Sequence, residues 1–205
     1  MFWAFNYKLQ IPMLSLDALI REAEIAHGHL CAGQVLGVRL AMLALAKLGI
    51  DDPRGKDRKR LVTFVEIDRC ATDAIGVVTG CRLGKRALKF RDFGKVAATF
   101  CDLREDRAVR LLARESAKER ARELYPAMEN KNQQQMRAYR QMTDEELFEK
   151  QWVRIALAPE DLPGYRAPRP LCEQCGEPVS FRREVIRDGR TVCRACAGER
   201  YYEPI

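Results

Sequence analysis

No stretch of the 205-residue chain is both long and apolar enough to cross a bilayer. The longest apolar run, Val35 to Leu48, is interrupted by Gly37, Arg39 and Lys47. The first residues, Met-Phe-Trp-Ala-Phe-Asn-Tyr-Lys, lack a basic region leading into an apolar run and a small-residue cleavage site, so no secretory signal is read there and the expected compartment is the cytoplasm. Repeats and low-complexity tracts are missing too, so the chain is read as distinct pieces. Histidine is scarce. Both copies fall in one short window, His27-Gly28-His29.

What the chain does have is cysteine. Eight thiols in a reducing compartment argue against a disulfide framework, and their spacing argues for metal. Hydrophobic residues at 47% and charged residues at 32% allow a buried core. The formal charge of +7 is a mild excess that favours anionic partners without demanding nucleic acid.

Ser15 is an N-cap ahead of Leu16, Leu19, Ile20 and Ala23, which predicts a helix ending near Gly28. A second helix, nearly all apolar and therefore buried, is expected from about Gly33 to Leu48 with Gly49 as its C-cap. The polar loop Asp51 to Arg60 leads into a strand from Leu61 to Ile67, then a short helix from Thr72 to Val78 stopped by Gly80. Ala87 to Phe93 and Lys95 to Phe100 read as strands joined through Asp92-Phe93-Gly94. Glu105 to about Leu124 is expected to be helical, and Thr143 with Glu146 forms a capping box for a further short helix. The fold class is thus α+β: a helix-and-sheet core domain over residues 1–157, a proline-rich linker over 158–170, and a small domain over 171–205.

That small domain carries Cys172 and Cys175, then Cys193 and Cys196. Two residues between thiols let a tight turn present both sulfurs to one ion, and two such knuckles complete a tetrahedron. Between them, Val179 to Ile186 and the Asp188-Gly189 turn supply a hairpin. Four thiolates leave no open position, so the expected cofactor is structural zinc in a zinc-ribbon-like domain. A segment this short folds through its metal.

The second constellation is less regular. His27, His29 and Cys31 crowd a loop at the mouth of the buried helix, where the helix dipole favours a thiolate. Cys70 and Asp73 are spaced to share a helical face, and Cys81 follows the Gly80 stop. These six residues form a candidate cleft: some of His27, His29, Cys31, Cys70 and Cys81 would hold a second zinc or other transition metal, with Asp73 as ligand or as partner of one. Cys101 is read as a core thiol in a strand.

The run from His27 to Gly33 with Leu36-Gly37-Val38-Arg39, the Asp68 to Ala74 segment, Thr79 to Lys85 and Asp92 to Phe100 together resemble the E-subunit family of formylmethanofuran dehydrogenase over roughly residues 15–155. One departure is Ala32, where the family usually has proline after the cysteine. The resemblance implies an α+β core that pairs as an intertwined homodimer, with a cleft lined by the His and Cys residues. It also implies association with oxidoreductase partner subunits of molybdenum or tungsten one-carbon chemistry. Two other readings compete. Cys31, Cys70 or Cys81 would serve a metal-independent redox role by forming a reversible disulfide. Alternatively, the zinc domain would bind nucleic acid, although its eight arginines against five acidic residues from Arg166 to Arg200 make a weak phosphate-binding surface.

Overall fold

The computed structural model describes residues 14–205, which form two compact units dividing between Ile155 and Ala156. In the first, Ser15 caps α1 (Leu16–His27) by accepting the Ala18 N–H, and Gly28 closes it at φ 90°. The positive φ favours glycine at that stop. Next comes α2 (Ala32–Leu48), with Gly49 in the left-handed region at its end. Val35, Val38, Leu40, Ala41, Ala44, Leu45 and Leu48 of α2 are all almost fully buried, as the lack of a polar face predicts. Each such leucine contributes roughly 1.5–3 kcal/mol through burial.

A five-stranded mixed sheet forms the other layer. Its strands are β1 (Leu61–Val65), β2 (Leu88–Phe90), β3 (Ala97–Asp102), β4 (Arg107–Ala113) and β5 (Phe148–Val153), in the spatial order β2-β1-β3-β4-β5. Only the β1–β2 pair is parallel; α3 (Cys70–Thr79) lies between its strands in sequence. Asp92 to Gly94 therefore carries the chain from one side of β1 to the other rather than closing a hairpin between β2 and β3. Ion pairs tie the sheet down: Arg60 holds the buried Asp102 and Asp57, and Arg110 makes two bonds to Glu66.

The stretch from Glu105 to Leu124 is not one helix. Arg107–Ala113 is strand β4, and only Ser116–Leu124 is helical (α4). Interleaved charges suggested a helical surface, but Val109 and Leu111 alternate with Arg110, and hydrogen bonding to β3 and β5 on both sides holds the segment extended. Two further helices follow, α5 (Lys131–Gln141) and α6 (Asp144–Leu147), the latter opened by the Thr143–Glu146 capping box.

A close helix crossing is that of α2 on α3. A Cβ on Gly37 would fall 2.5 Å from the Ala71 carbonyl oxygen, and one on Gly33 would fall 3.2 Å from Cys70 Cβ. The two glycines, one turn apart, allow the backbones to approach closely. Cys70 is thereby brought against the start of α2.

The second unit holds a two-stranded antiparallel sheet, β6 (Glu184–Arg187) and β7 (Arg190–Cys193). Asp188 and Gly189 turn between them, both at positive φ (52° and 75°), the two-residue loop that suits strand twist. The described residues contain no helix long and apolar enough to cross a membrane.

Candidate metal centres

The sulfur atoms of Cys172, Cys175, Cys193 and Cys196 lie within 4.8 Å of one another. Backbone N–H groups point at them: Cys193 N donates to Cys172 Sγ (3.3 Å) and Cys196 N to Cys193 Sγ (3.4 Å). Gly176, at φ 76°, lets the first knuckle turn back, with its N–H on the Cys172 carbonyl. The electrostatics are those of a cation site. Backbone N–H donation from Cys175 and Cys193 holds the Cys172 thiol down to about 6, whereas burial and the crowded neighbouring sulfurs push Cys196 up to about 12. Four thiols this close do not all ionise without a positive charge among them, and a zinc ion held by the four sulfurs would supply it.

The second centre is assembled from three helix ends. His27 is the last residue of α1, Cys31 is the N-cap of α2, and Cys70 opens α3. One ligand atom from each lies within 4.8 Å of the others. Both cysteines sit at helix starts, beside backbone N–H groups that have no partner within the helix. Burial, followed by a hydrogen bond with Cys31, pushes the Cys70 thiol up in the protein without metal.

The imidazole of His27 is already oriented. Its Nδ1 is 2.8 Å from Asp73 Oδ2, and a carboxylate only accepts, so Nδ1 carries the proton. In the neutral imidazole that leaves the lone pair on Nε2. That nitrogen is buried and has no hydrogen-bond partner among the described residues. An unpartnered buried acceptor is costly, and a metal between the two sulfurs would satisfy it. Carboxylate, imidazole and metal in series is the usual way a protein fixes a histidine ligand.

Of the six residues expected in the cleft, the structure gathers His27, Cys31 and Cys70 as donors and Asp73 behind His27. His29 lies outside the donor group, its ring centroid 4.6 Å from that of His27, and it lines the cleft. Cys81 does not belong there. It follows the C-terminal end of α3, the helix that Cys70 opens, and is not among the gathered donors. It is 2% exposed in the core, and Thr63 Oγ1 lies 3.5 Å from its sulfur. Its position after the Gly80 stop suggested a loop ligand, but that stop turns the chain inward. Cys101 is likewise a buried strand thiol, pushed up to about 12 by burial.

Cys31 and Cys70 line a cleft of about 640 Å³ walled by the start of α2, the β1–α3 loop, α4 and α5. Sequence reading missed the α5 wall altogether: Asn132, Gln135 and Tyr139 carry no motif, though their spacing was visible. Asn132 Oδ1 accepts the Ala32 N–H at 2.8 Å, a bond proline at that position would forbid. Gln34, fully buried, donates to the Cys70 carbonyl at 2.8 Å and braces the other cysteine.

Comparison with known proteins agrees with this architecture. A solved structure from Syntrophus aciditrophicus, described as a protein like FmdE of tungsten formylmethanofuran dehydrogenase, superposes with a TM-score of 0.62 at 20% identity, covering 93% of this chain and 96% of the other. A relative from Archaeoglobus fulgidus, described as a probable S-adenosyl-L-methionine-binding protein, is 30% identical over 93% of this chain. The chain spans about half the length of that relative, 55%. Residues 166–202 match the prokaryotic dksA/traR C4-type zinc finger, the segment that holds the four-sulfur cluster. Residues 26–149, more than half of the chain, match the family described as FmdE, molybdenum formylmethanofuran dehydrogenase operon, and the chain belongs to that family.

Proposed function

We propose that this metal-binding protein carries a second, chemically open metal centre, held by His27 Nε2, Cys31 and Cys70, and serves as an accessory component of molybdenum or tungsten one-carbon oxidoreductase chemistry. The observation that supports it most is the buried, partnerless Nε2 of His27 beside two thiols at helix N-termini. Three protein donors leave one position of a tetrahedral zinc free, the arrangement of reactive rather than structural sites. Bound there, zinc would act as a Lewis acid toward a ligand entering the cleft. The protein's own part is to hold the imidazole by Asp73, to set the sulfur separation by the α2–α3 crossing, and to admit the ligand past His29.

The four-cysteine domain, beyond its proline-rich segment over 158–170, is in this reading a structural zinc module, and the core over 1–157 carries the reactive chemistry. The family resemblance supports a homodimer and oxidoreductase partner subunits in the cytoplasm. The test is elemental analysis of the purified chain and of a Cys31→Ala/Cys70→Ala variant. About two metal equivalents falling to about one supports the reading. One equivalent in both overturns it.

A second reading is binding of S-adenosyl-L-methionine. A cleft of about 640 Å³ is within the usual range for small-molecule sites and the Archaeoglobus relative is named for that ligand. Calorimetric titration of the zinc-loaded protein with S-adenosyl-L-methionine decides it, since absence of heat at millimolar ligand rules the reading out.

A further inference from the structure

Positive charge is concentrated on one edge of the five-stranded sheet. Residues 82–95 carry six basic side chains and one acidic, a net +5 out of the +7 of the whole chain. The segment comprises the turn Leu83–Lys85, the edge strand β2 and the loop after it. Exposed cations elsewhere in the first unit are ion-paired, among them Arg54 with Glu22, Arg114 with Glu149, Lys118 with Glu115 and Arg140 with Asp17. Arg82, Lys85, Arg91 and Lys95 are exposed too, yet none of them has a carboxylate partner among the described residues. Bare apolar side chains stand between them: Leu83 is 65% exposed, Phe90 38% and Phe93 63%. Guarding a short strand edge against pairing needs a charge or two on the strand itself. It does not call for cations on the flanking turn and loop, nor for exposed rings.

Geometry selects among anionic partners. Lys85 precedes β2 and Arg91 follows it, and a strand advances about 3.3 Å per residue, so the cations are strung along the edge rather than gathered at one point. A lone phosphate or carboxylate cannot meet them together, whereas a polymer charged at every unit can. An acidic peptide added as a further strand finds the outward groups of β2 partly spent. The Leu88 N–H donates to the Arg82 carbonyl, and the Phe90 carbonyl accepts from Arg91 Nη1 at 3.2 Å. Two copies of the chain meeting here would set +5 against +5. A bilayer would need the apolar side chains together at one tip, and Leu83 and Phe93 come from before and after the strand. Exposed rings among cations offer faces for stacking, and an unpaired base presents its own face to them where a duplex does not.

Independently of the metal centre, we infer that the β2 edge binds a single-stranded polynucleotide. Arg82, Lys85, Arg91 and Lys95 take phosphates, and Phe93 with Phe90 stacks on bases. Gly94 of the same loop also lines the cleft, so the bound strand runs to its rim.

The test is fluorescence anisotropy of the zinc-loaded full chain with labelled RNA and DNA strands of about 16 nucleotides, beside the matching duplex. Four phosphate contacts at about 0.7 each predict a slope of about −2.8 in log K against log salt, an about fiftyfold loss of affinity from about 50 to 200 mM salt. Lys85→Gln/Lys95→Gln is expected to reduce the slope to about −1.4. Phe93→Ala is expected to weaken binding about five- to 150-fold with the slope unchanged. All three side chains are exposed, so the circular dichroism of the parent should be kept. Arg187→Gln/Arg190→Gln, in the zinc domain, is expected to bind as the parent does. Whichever of RNA and DNA binds more tightly identifies the source of the strand, and either supports the inference. No binding at about 100 μM chain, or tighter binding of the duplex, overturns it. So does a loss that follows the Arg187/Arg190 pair and spares the Lys85/Lys95 pair. A Phe93→Ala variant that holds the strand like the parent but no longer sediments with phosphatidylserine vesicles assigns the edge to lipid and overturns it as well. The Cys31→Ala/Cys70→Ala variant is expected to bind the strand unchanged, which separates failure here from failure of the metal centre.

Discussion

Removing the carboxylate behind His27 is the sharpest probe of the second centre. Asp73 accepts the Nδ1 proton at 2.8 Å and its side chain is 60% exposed, so its loss should not disturb the core. What changes is the imidazole. With Asp73 in place the tautomer is fixed and the ring is held against swinging. Asp73→Asn keeps an acceptor but removes the charge; Asp73→Ala removes both. Loss of such an outer partner typically weakens metal binding 10–100-fold, about 1.4–2.7 kcal/mol. Asn is expected near the lower end and Ala near the upper. The assay is competition with a chromophoric zinc chelator, which resolves a tight and a weaker equivalent per chain. Only the weaker equivalent should shift, because the four-cysteine cluster contains no histidine. If both variants hold zinc within about twofold of the parent, or if both equivalents shift together, Asp73 does not act through the His27 tautomer.

Further outcomes follow from the packing. Gly37→Ala places a methyl 2.5 Å from the Ala71 carbonyl oxygen, so α2 and α3 must part; the expected loss is about 2–3 kcal/mol in urea unfolding, with a weaker second zinc because Cys70 moves with α3. Leu45→Ala, in the fully buried face of α2, is expected to cost about 2–5 kcal/mol without changing metal content per folded chain. Stripping zinc with a strong chelator should abolish amide-exchange protection in β6 and β7 and leave that of β1, β3 and β4 intact. At Asp102, burial alone would raise the carboxyl, but the hydrogen bonds from Arg60 and the Arg104 N–H outweigh it and hold the group below its ordinary range. A depressed folded-state value stabilises above the unfolded value of about 3.9 and is lost as pH falls through the folded one. Asp102→Asn should therefore cost about 3 kcal/mol at pH 7 and flatten the acid limb of the stability curve below about pH 4, read by chemical denaturation.

Local chemistry already visible in the chain determines much of this protein. Ser15 and Gly28 bound α1 because capping and a left-handed stop need only neighbouring backbone. The Cys-x-x-Cys pairs with Asp188-Gly189 between them specify the four-sulfur cluster through knuckle and hairpin geometry that spans few residues. The burial of α2 is legible because it has no polar face to expose. Tertiary structure decided the rest. Arg107–Ala113 became a strand through its two neighbours in the sheet, an influence that a charge pattern along the chain does not register. Whether Cys70 or Cys81 joins His27 depended on which end of α3 meets α2, and two glycines packed against Ala71 and Cys70 settle that. The α5 wall of the cleft has no motif of its own. Asn132 and Tyr139 sit about a hundred residues from Cys31, and only the docking of α5 along α2, through Ala32 with Asn132 and Arg39 with the Tyr139 carbonyl, brings their donors into the cleft.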